Sequence, residues 1–307
     1  MAMNANTYRP LLRLSVALIM VFVTGVLIAQ PEQTFQAYKA YQQQNYERAA
    51  ELIDEAVLIE AGKKDAMTWH IRGFIYKDIF NNVDRKEYNA KSRETAIDAF
   101  KRALEYDQSG EFRENNVKSL RYLGSSLYND AVLIMRDLDT ATIDDSEKFY
   151  QQYKEVMSEA DESFDTKERD VNYYKALATC YRKIYEDSRT ENQKFLEKAL
   201  AKYNYVLEID PDNYGANYNT AINLYNEGAY GIEQIDSEAQ IPTIVKVQAV
   251  SVERFREALP YMLKAYELDP TRRETLIGLR GIYLSLNNNE EANKYKDLLE
   301  KTQQVDK

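Results

Sequence analysis

The stretch Trp69-His-Ile-Arg-Gly73-Phe-Ile-Tyr76 decides the fold. A large residue is followed by a small one four positions on, and by an aromatic three further. In an α-helix those intervals fall on one face. A second segment, AIDAFKRALEYD, places Ala96, Phe100 and Ala103 at intervals of the same kind. A bulky side chain on one helix set against Gly or Ala on its neighbour lets the two axes approach closely. The two segments therefore predict a helical hairpin held by a seam of large against small side chains.

The pattern recurs along the chain. LRYLGSSLY supplies Leu120, Leu123, Gly124 and Leu127; YKALATCY supplies Tyr174, Leu177, Ala178 and Tyr181; NYNTAINLY supplies Asn217, Thr220, Ala221 and Leu224. Partner segments carry Ala199, Tyr203 and Val206 before Pro211, and Ala258, Met262 and Ala265 before Pro270. VLEIDPDNYGA and AYELDPTRRET are near copies. In each, Asp-Pro ends a helix, because Pro cannot continue it and restricts the residue before it.

These residues resemble the tetratricopeptide repeat (TPR) family. Its helix–turn–helix unit of about 34 residues carries a Trp or other large residue, Leu-Gly, Tyr, Ala, Phe, Ala and Pro. The resemblance runs from about Thr34 to Lys301, in six units. The first rests on Ala37, Ala49, Ile53 and Ala56, and the third has a degenerate second helix within Ser146 to Phe164. It implies an all-α fold, an α-solenoid wound as a right-handed superhelix of about six repeats. The approximate repeats are 33–61, 66–108, 115–165, 171–211, 213–270 and 272–301, in an array spanning 30–301, with a frayed tail at 302–307.

The sequence departs from the family in its spacings and in its last unit. Gly73 to Ala96, Ala178 to Ala199 and above all Ala221 to Ala258 are longer than the family spacing, so the turns or the helices themselves are extended. Pro242 suits the first turn of a long helix reaching about Glu267, which Pro260 would kink. In the last unit Arg280 stands where a small residue is expected and Lys296 where a Phe is, the pattern of a solvated capping repeat.

Composition bounds the function. The chain has 307 residues, 25 of them Tyr, with only 10 Gly and 6 Pro and a net charge of -10. Tyr suits half-buried positions on thinly packed helices. The acidic balance argues against nucleic-acid binding, which needs excess Lys and Arg. One Cys (Cys180) and one His (His70) exclude a disulfide framework and a multi-thiolate metal site, and they leave a catalytic Cys without a near partner. Cys180 reads as a small buried apolar residue and His70 as structural. Acidic runs such as Asp144, Asp145 and Glu147 lack calcium-loop spacing and read as solvated faces. No phosphate-binding, dinucleotide or nucleophile-elbow motif occurs. Neither an enzyme nor a cofactor is expected.

At the N-terminus Arg9 and Arg13 precede the apolar run Leu14–Ala29, with no acidic residue before Glu32. This is the order of a secretory signal peptide, residues 1–29, cleaved after Ala29. An uncleaved membrane anchor is the alternative, although about 16 apolar residues fall short of the roughly 20 a bilayer core requires. The localisation expected is periplasmic or secreted, with the membrane touched only if that segment is retained.

For the family, the inner, concave face is lined by the first helix of each unit. Projected onto this sequence it carries Tyr38 and Tyr41; His70, Phe74 and Lys77; Lys118, Arg121 and Tyr128; Lys175, Arg182 and Lys183; and Tyr218 and Tyr225. Basic residues concentrate there in an acidic protein. The expectation is a groove that takes a protein or peptide partner with an acidic segment, in a scaffold of the cell envelope. The bland alternative is that these cations only solvate helix faces. The family's carboxylate clamp is not expected: Lys175 and Asn219 match it, whereas Thr179, Glu274 and Gly278 do not. A membrane-anchored assembly factor and a carrier of peptides or glycans are the other readings.

Overall fold

The structure, a computed structural model, describes residues 32–305; the expected targeting segment lies outside the described residues. Thirteen helices and no strand occur among the described residues. They are α1 (Glu32–Gln42), α2 (Tyr46–Ala56), α3 (Glu60–Lys63), α4 (Ala66–Asn82), α5 (Lys91–Tyr106), α6 (Arg113–Asp137) and α7 (Ile143–Ala160). They continue as α8 (Lys167–Asp187), α9 (Gln193–Ile209), α10 (Tyr214–Glu233), α11 (Ile241–Leu268), α12 (Arg273–Ser285) and α13 (Asn289–Val305). The chain divides into two compact units, with the boundary between Ser119 and Leu120 inside α6.

Local chemistry sets the helix ends. The Asn45 side chain accepts the Arg48 amide, Asp65 accepts the Thr68 amide and hydroxyl, and Asn213 accepts the Ala216 amide. Each satisfies a donor the first turn leaves open, worth about 1 kcal/mol. The helices α9 and α11 stop one residue short of Asp210-Pro211 and Asp269-Pro270. Pro242 occupies the first turn of α11, where its missing amide costs nothing. The same helix continues through Pro260 to Leu268. The longer spacings are absorbed by helix length, with 17 residues in α4, 21 in α8 and 28 in α11, and in the first also by the connection at residues 83–90.

In the first unit α1 packs on α2, α2 on α4 and α4 on α5. Trp69 is buried and donates its indole N–H to the Lys63 carbonyl (2.9 Å), which ties the short α3 to α4. Phe100 of α5 sits directly over Gly73: a Cβ placed there would fall 2.5 Å from the ring. Ala96, Phe100 and Ala103 are wholly buried. The helices therefore pair through the large-against-small seam that the spacing predicts.

The second unit repeats the device. Gly124 faces Val156 and Met157 across α6 and α7, and the Ser146 hydroxyl donates to the Ala131 carbonyl (2.7 Å). The Tyr150 and Tyr173 rings stack at 3.7 Å between α7 and α8. From α8 onward each helix packs on the next in chain order as far as α13. Sequential stacking of hairpins is the arrangement of an α-solenoid, in which each hairpin buries its apolar face only against its neighbours.

Two expectations need correction. Tyr is not confined to half-buried positions: Tyr150, Tyr153, Tyr181 and Tyr203 are fully buried. Their hydroxyls remain satisfied because other helices present acceptors or donors. Tyr150 donates to Asp170 (2.6 Å) and Tyr181 to Asp144 (2.9 Å); in the first unit Tyr41 donates to Asp78 and Tyr76 to Asp54 (2.6 Å each). Secondly, α12 finds its small residues away from Arg280. A Cβ on Gly278 would lie 2.5 Å from Met262 and one on Gly281 3.2 Å from the Tyr225 hydroxyl, while Arg280 and Lys296 are exposed and Tyr295 is the buried aromatic of α13. Gly278 and Gly281 thus seat α12 on α11 and α10 of the preceding hairpin, and the outer face of the last unit is solvated.

Candidate functional site

The first-helix residues fall into one set in each unit. In the first unit, His70, Phe74 and Lys77 share a face of α4 and meet the start of α6. His70 Nδ1 lies 2.6 Å from Asn116 Oδ1, and its ring packs on Phe74 (4.8 Å) and Phe112 (4.6 Å). Phe74 stands edge-on to Phe100 at 5.3 Å. Lys77 Nζ sits 3.9 Å from the Phe74 ring centre and donates to the Ser119 hydroxyl (3.3 Å).

This cluster is short of negative charge. Burial pushes the His70 pKa down and the Lys77 charge adds to the shift, against smaller upward pulls from the Asn116 hydrogen bond and the Asp107 charge. Burial also lowers the Lys77 pKa; Asp78 opposes the shift and Lys118 adds to it. Asp78, the nearest counter-charge, is already engaged by the Tyr41 hydroxyl. Lys118 is exposed, and neither lysine makes an ion pair among the described residues. The Asn116 side chain is wholly buried and its Nδ2 has no hydrogen-bond partner. Tyr38 packs partly buried against the α1–α2–α4 core. Tyr41 is held by Asp78, and burial with that carboxylate raises its pKa.

The second set is more dispersed. Arg121 pairs with Asp161 (3.0 Å) and Arg182 with Glu186 one helical turn on (2.6 Å). Tyr128 packs among Tyr150, Tyr153 and the Arg169 guanidinium. Lys175 is half-buried with its ammonium lying against Gly215 of α10. Lys183 is exposed and makes no ion pair among the described residues. Tyr218 stacks on Tyr214 at 5.9 Å, and Tyr225 lies 5.4 Å from Phe255. The structure thus gathers His70, Phe74 and Lys77 into one cluster and gives the second unit's cations separate neighbours.

Other features were not singled out in the sequence. Phe112, Asn116 and Ser119 complete the Lys77 cluster; their four- and three-residue spacing is the signal that could have marked them. The acidic run near Asp144 is not merely solvated. Asp144 accepts from Tyr181 and Lys198, and Glu147 pairs with Lys202 (2.6 Å), which clamps α7 to α9. Burial alone would raise the Asp144 pKa, but the bonds from Lys198 and Tyr181 bring it below its ordinary value. Cys180 is half-buried with Sγ 3.5 Å from the Met135 carbonyl, and burial raises its thiol pKa. Among the described residues no group of three or more His, Cys, Asp and Glu is placed to hold a metal ion, and no helix is long and apolar enough to cross a membrane. A cleft of about 700 Å³ opens between α8, α10 and α11, lined by Tyr185, Tyr230, Val247, Val250 and the Glu227–Arg254 ion pair.

Neither a protein-family model nor a curated protein matches the sequence. The solved structures it resembles include TPR proteins. YrrB, a TPR protein with an unusual peptide-binding site, is 17% identical over 83% of this chain and 93% of its own, with a TM-score of 0.31. PilW, a widely conserved type IV pilus biogenesis factor, is 16% identical over 87% and 90%, with a TM-score of 0.30. The TPR2AB domain of yeast Sti1 in complex with pHSP90 is 16% identical over 88% and 89%, with a TM-score of 0.27. The fold is established by the helix pairing itself.

Proposed function

We propose that the chain is a non-catalytic protein-interaction scaffold of the cell envelope, which receives an acidic segment of a partner at the Lys77 cluster. One observation carries this reading. Lys77 is a half-buried cation resting on Phe74, with Ser119 as its hydrogen-bond partner and a second lysine of the same sign nearby. Withdrawing an ammonium from water without a carboxylate is costly, and an arriving carboxylate relieves that cost through a charge-assisted hydrogen bond. The aromatic neighbours His70, Phe74 and Phe112 supply apolar contact beside the charge. In the second unit Arg121 and Arg182 are already paired internally, which makes that set the weaker candidate. The envelope location rests on Arg9, Arg13 and the apolar run Leu14–Ala29.

Fluorescence anisotropy with two labelled peptides, one alternating Glu and Leu and one alternating Lys and Leu, tests the site. The acidic peptide should bind and the basic one should not, with affinity falling as salt rises. Lys77→Glu with Lys118→Glu should weaken binding at least about tenfold, a loss of about 1.4 kcal/mol. Equal binding of both peptides, or no change in the double variant, would overturn the assignment. N-terminal sequencing of the protein recovered from its host should begin at Gln30; an intact Met1 would favour the anchored form.

A further inference from the structure

The start of α11 runs on past the end of α10. On α10, Gly231 lies level with Val247 and Ser251 of α11: a Cβ there would be 3.9 Å and 3.2 Å from their side chains. Two residues later α10 ends at Glu233, so the first turn of α11, from Ile241, projects beyond it. Thr243, Val247, Val250 and Arg254 follow at intervals of four, three and four, which places them on one face of α11. That face is one wall of the cleft of about 700 Å³, and Tyr185 of α8 and Glu227 and Tyr230 of α10 line it as well.

Two features of this lining point to a ligand. The first is Tyr185, which is 4% exposed yet whose hydroxyl has no hydrogen-bond partner among the described residues. The other deeply buried tyrosines of α7 to α9 have one: Tyr150 donates to Asp170 and Tyr181 to Asp144, while Tyr173 and Tyr203 share bonds with Ser146 and Thr179. A buried hydroxyl without a partner is costly, and a group seated in the cleft can supply one. Burial raises the Tyr185 pKa, so the side chain stays a phenol that both donates and accepts. The second feature is the state of the charges. Glu227 pairs with Arg254 (3.1 Å) and accepts from Gln193 (3.4 Å), and Arg254 pairs again with Glu257 (2.7 Å). The charges deep in the wall are thus answered within the protein. Lys246 is exposed to water, and the Arg189 guanidinium lies over the Tyr230 ring at 4.6 Å.

We propose that this cleft binds a short neutral saccharide, whose hydroxyls engage Tyr185, Gln193, Glu227 and Arg254 and whose C–H faces rest on Val247 and Val250. Each saccharide hydroxyl both donates and accepts. That matches a wall offering a phenol, an amide, a carboxylate and a guanidinium in one place. A neutral ligand leaves the Glu227–Arg254 pair intact. An ion seated on either member would compete with the other and leave it uncompensated. A purely apolar occupant would cover the Tyr185 hydroxyl and the ion pair while offering them nothing. The cleft volume falls within the range of small-ligand sites, about 300–1,000 Å³.

Isothermal titration calorimetry with maltotriose, cellotriose and chitotriose tests the proposal, with laurate as the acidic, apolar comparison. At least one trisaccharide should bind, and laurate should not. Val250 is 57% exposed, so Val250→Trp obstructs the cleft without removing a packed group, and it should weaken binding at least about tenfold. Tyr185→Phe removes only the hydroxyl and should weaken binding several-fold. It should leave the melting temperature of the free protein unchanged or higher, since that hydroxyl has no internal bond to lose. Co-sedimentation with insoluble cellulose and chitin separates the two sources of the sugar: retention on the polymer marks a chain end, and its absence marks a free saccharide. Silence of all three trisaccharides, binding that both variants leave intact, or a clear fall in the melting temperature of Tyr185→Phe would overturn the proposal. Laurate binding that Val250→Trp abolishes, without binding of any sugar, would assign the cleft to an acidic amphiphile instead. The acidic-peptide site lies on α4 and α6 in the other unit, so either proposal can fail without the other.

Discussion

The hairpins α4–α5 and α10–α11 are built on the same contact and finish differently. In each, a glycine on the first helix accepts a phenylalanine from the second: Phe100 over Gly73, and Phe255 against Gly228. In the first hairpin the missing side chain makes room for a ring alone. In the second, the ring and the Ser251 backbone carbonyl both press on the glycine, at 2.7 Å and 2.9 Å from an added Cβ. The closer backbone approach belongs to the hairpin whose second helix runs on past the first. Tight packing at the middle of a pair does not make the pair end flush. Where it overruns, surface designed by the repeat for burial is left uncovered.

Substituting the two glycines sharpens that contrast. Gly228→Ala should be the more damaging of the two, at about 3 kcal/mol, because a backbone carbonyl cannot turn aside as a ring can. Gly73→Ala should cost about 1–2 kcal/mol, since Phe100 can shift within its seam. Urea unfolding monitored by circular dichroism measures both; a larger loss for Gly73→Ala would show that α10–α11 is the looser pair. Because the two sites lie in different compact units, two separate transitions would locate each effect.

Alkaline pH divides the regions next. Tyr76 in the first unit donates to Asp54, and burial together with that carboxylate pushes its pKa up to about 12, above the ordinary value of 10.0. The folded state thus favours the protonated phenol. Its contribution is complete below pH 10 and is lost as the pH climbs from 10 toward 12. Tyr41 shifts in the same direction by the same causes. Tyr76→Phe should cost about 1 kcal/mol at pH 7, since Asp54 keeps its ion pair with Arg72, and should flatten the decline above pH 10. Melting curves at pH 8, 10 and 11 read this directly. A parallel decline in wild type and variant would mean that Tyr76 does not drive the alkaline loss.

How much of this was legible in the sequence depends on whether the cause was local. The seam was readable at Trp69, Gly73 and Phe100 because helical spacing is written in consecutive residues. The Asp-Pro stops and Pro242 were readable because proline acts on its own neighbours. The bonds from Tyr41 to Asp78 and from Tyr181 to Asp144 were not, since each joins residues 37 apart through the relative rotation of packed helices. For the same reason Asn116 and Ser119 did not announce themselves as neighbours of His70 and Lys77. The roles of Gly278 and Gly281 were hidden for the same reason, since they meet Met262 and Tyr225 on the preceding hairpin.

The smallest expected effect bears hardest on the comparison. Val245→Lys alone should alter the stability of the isolated chain by less than about 0.5 kcal/mol, because the side chain is 58% exposed. A contrasting change in the first hairpin is at Ile75, which sits on α4 with no exposed surface. There a lysine must bury its charge or break the packing, and the hairpin should not form. Both residues are β-branched and apolar, and what separates them is burial. If Val245→Lys proves strongly destabilising at a concentration where the protein is a single chain, the α11 projection is already covered within its own unit. The overrun would then be part of the core, and the contrast between the two hairpins would reduce to the single backbone contact at Gly228.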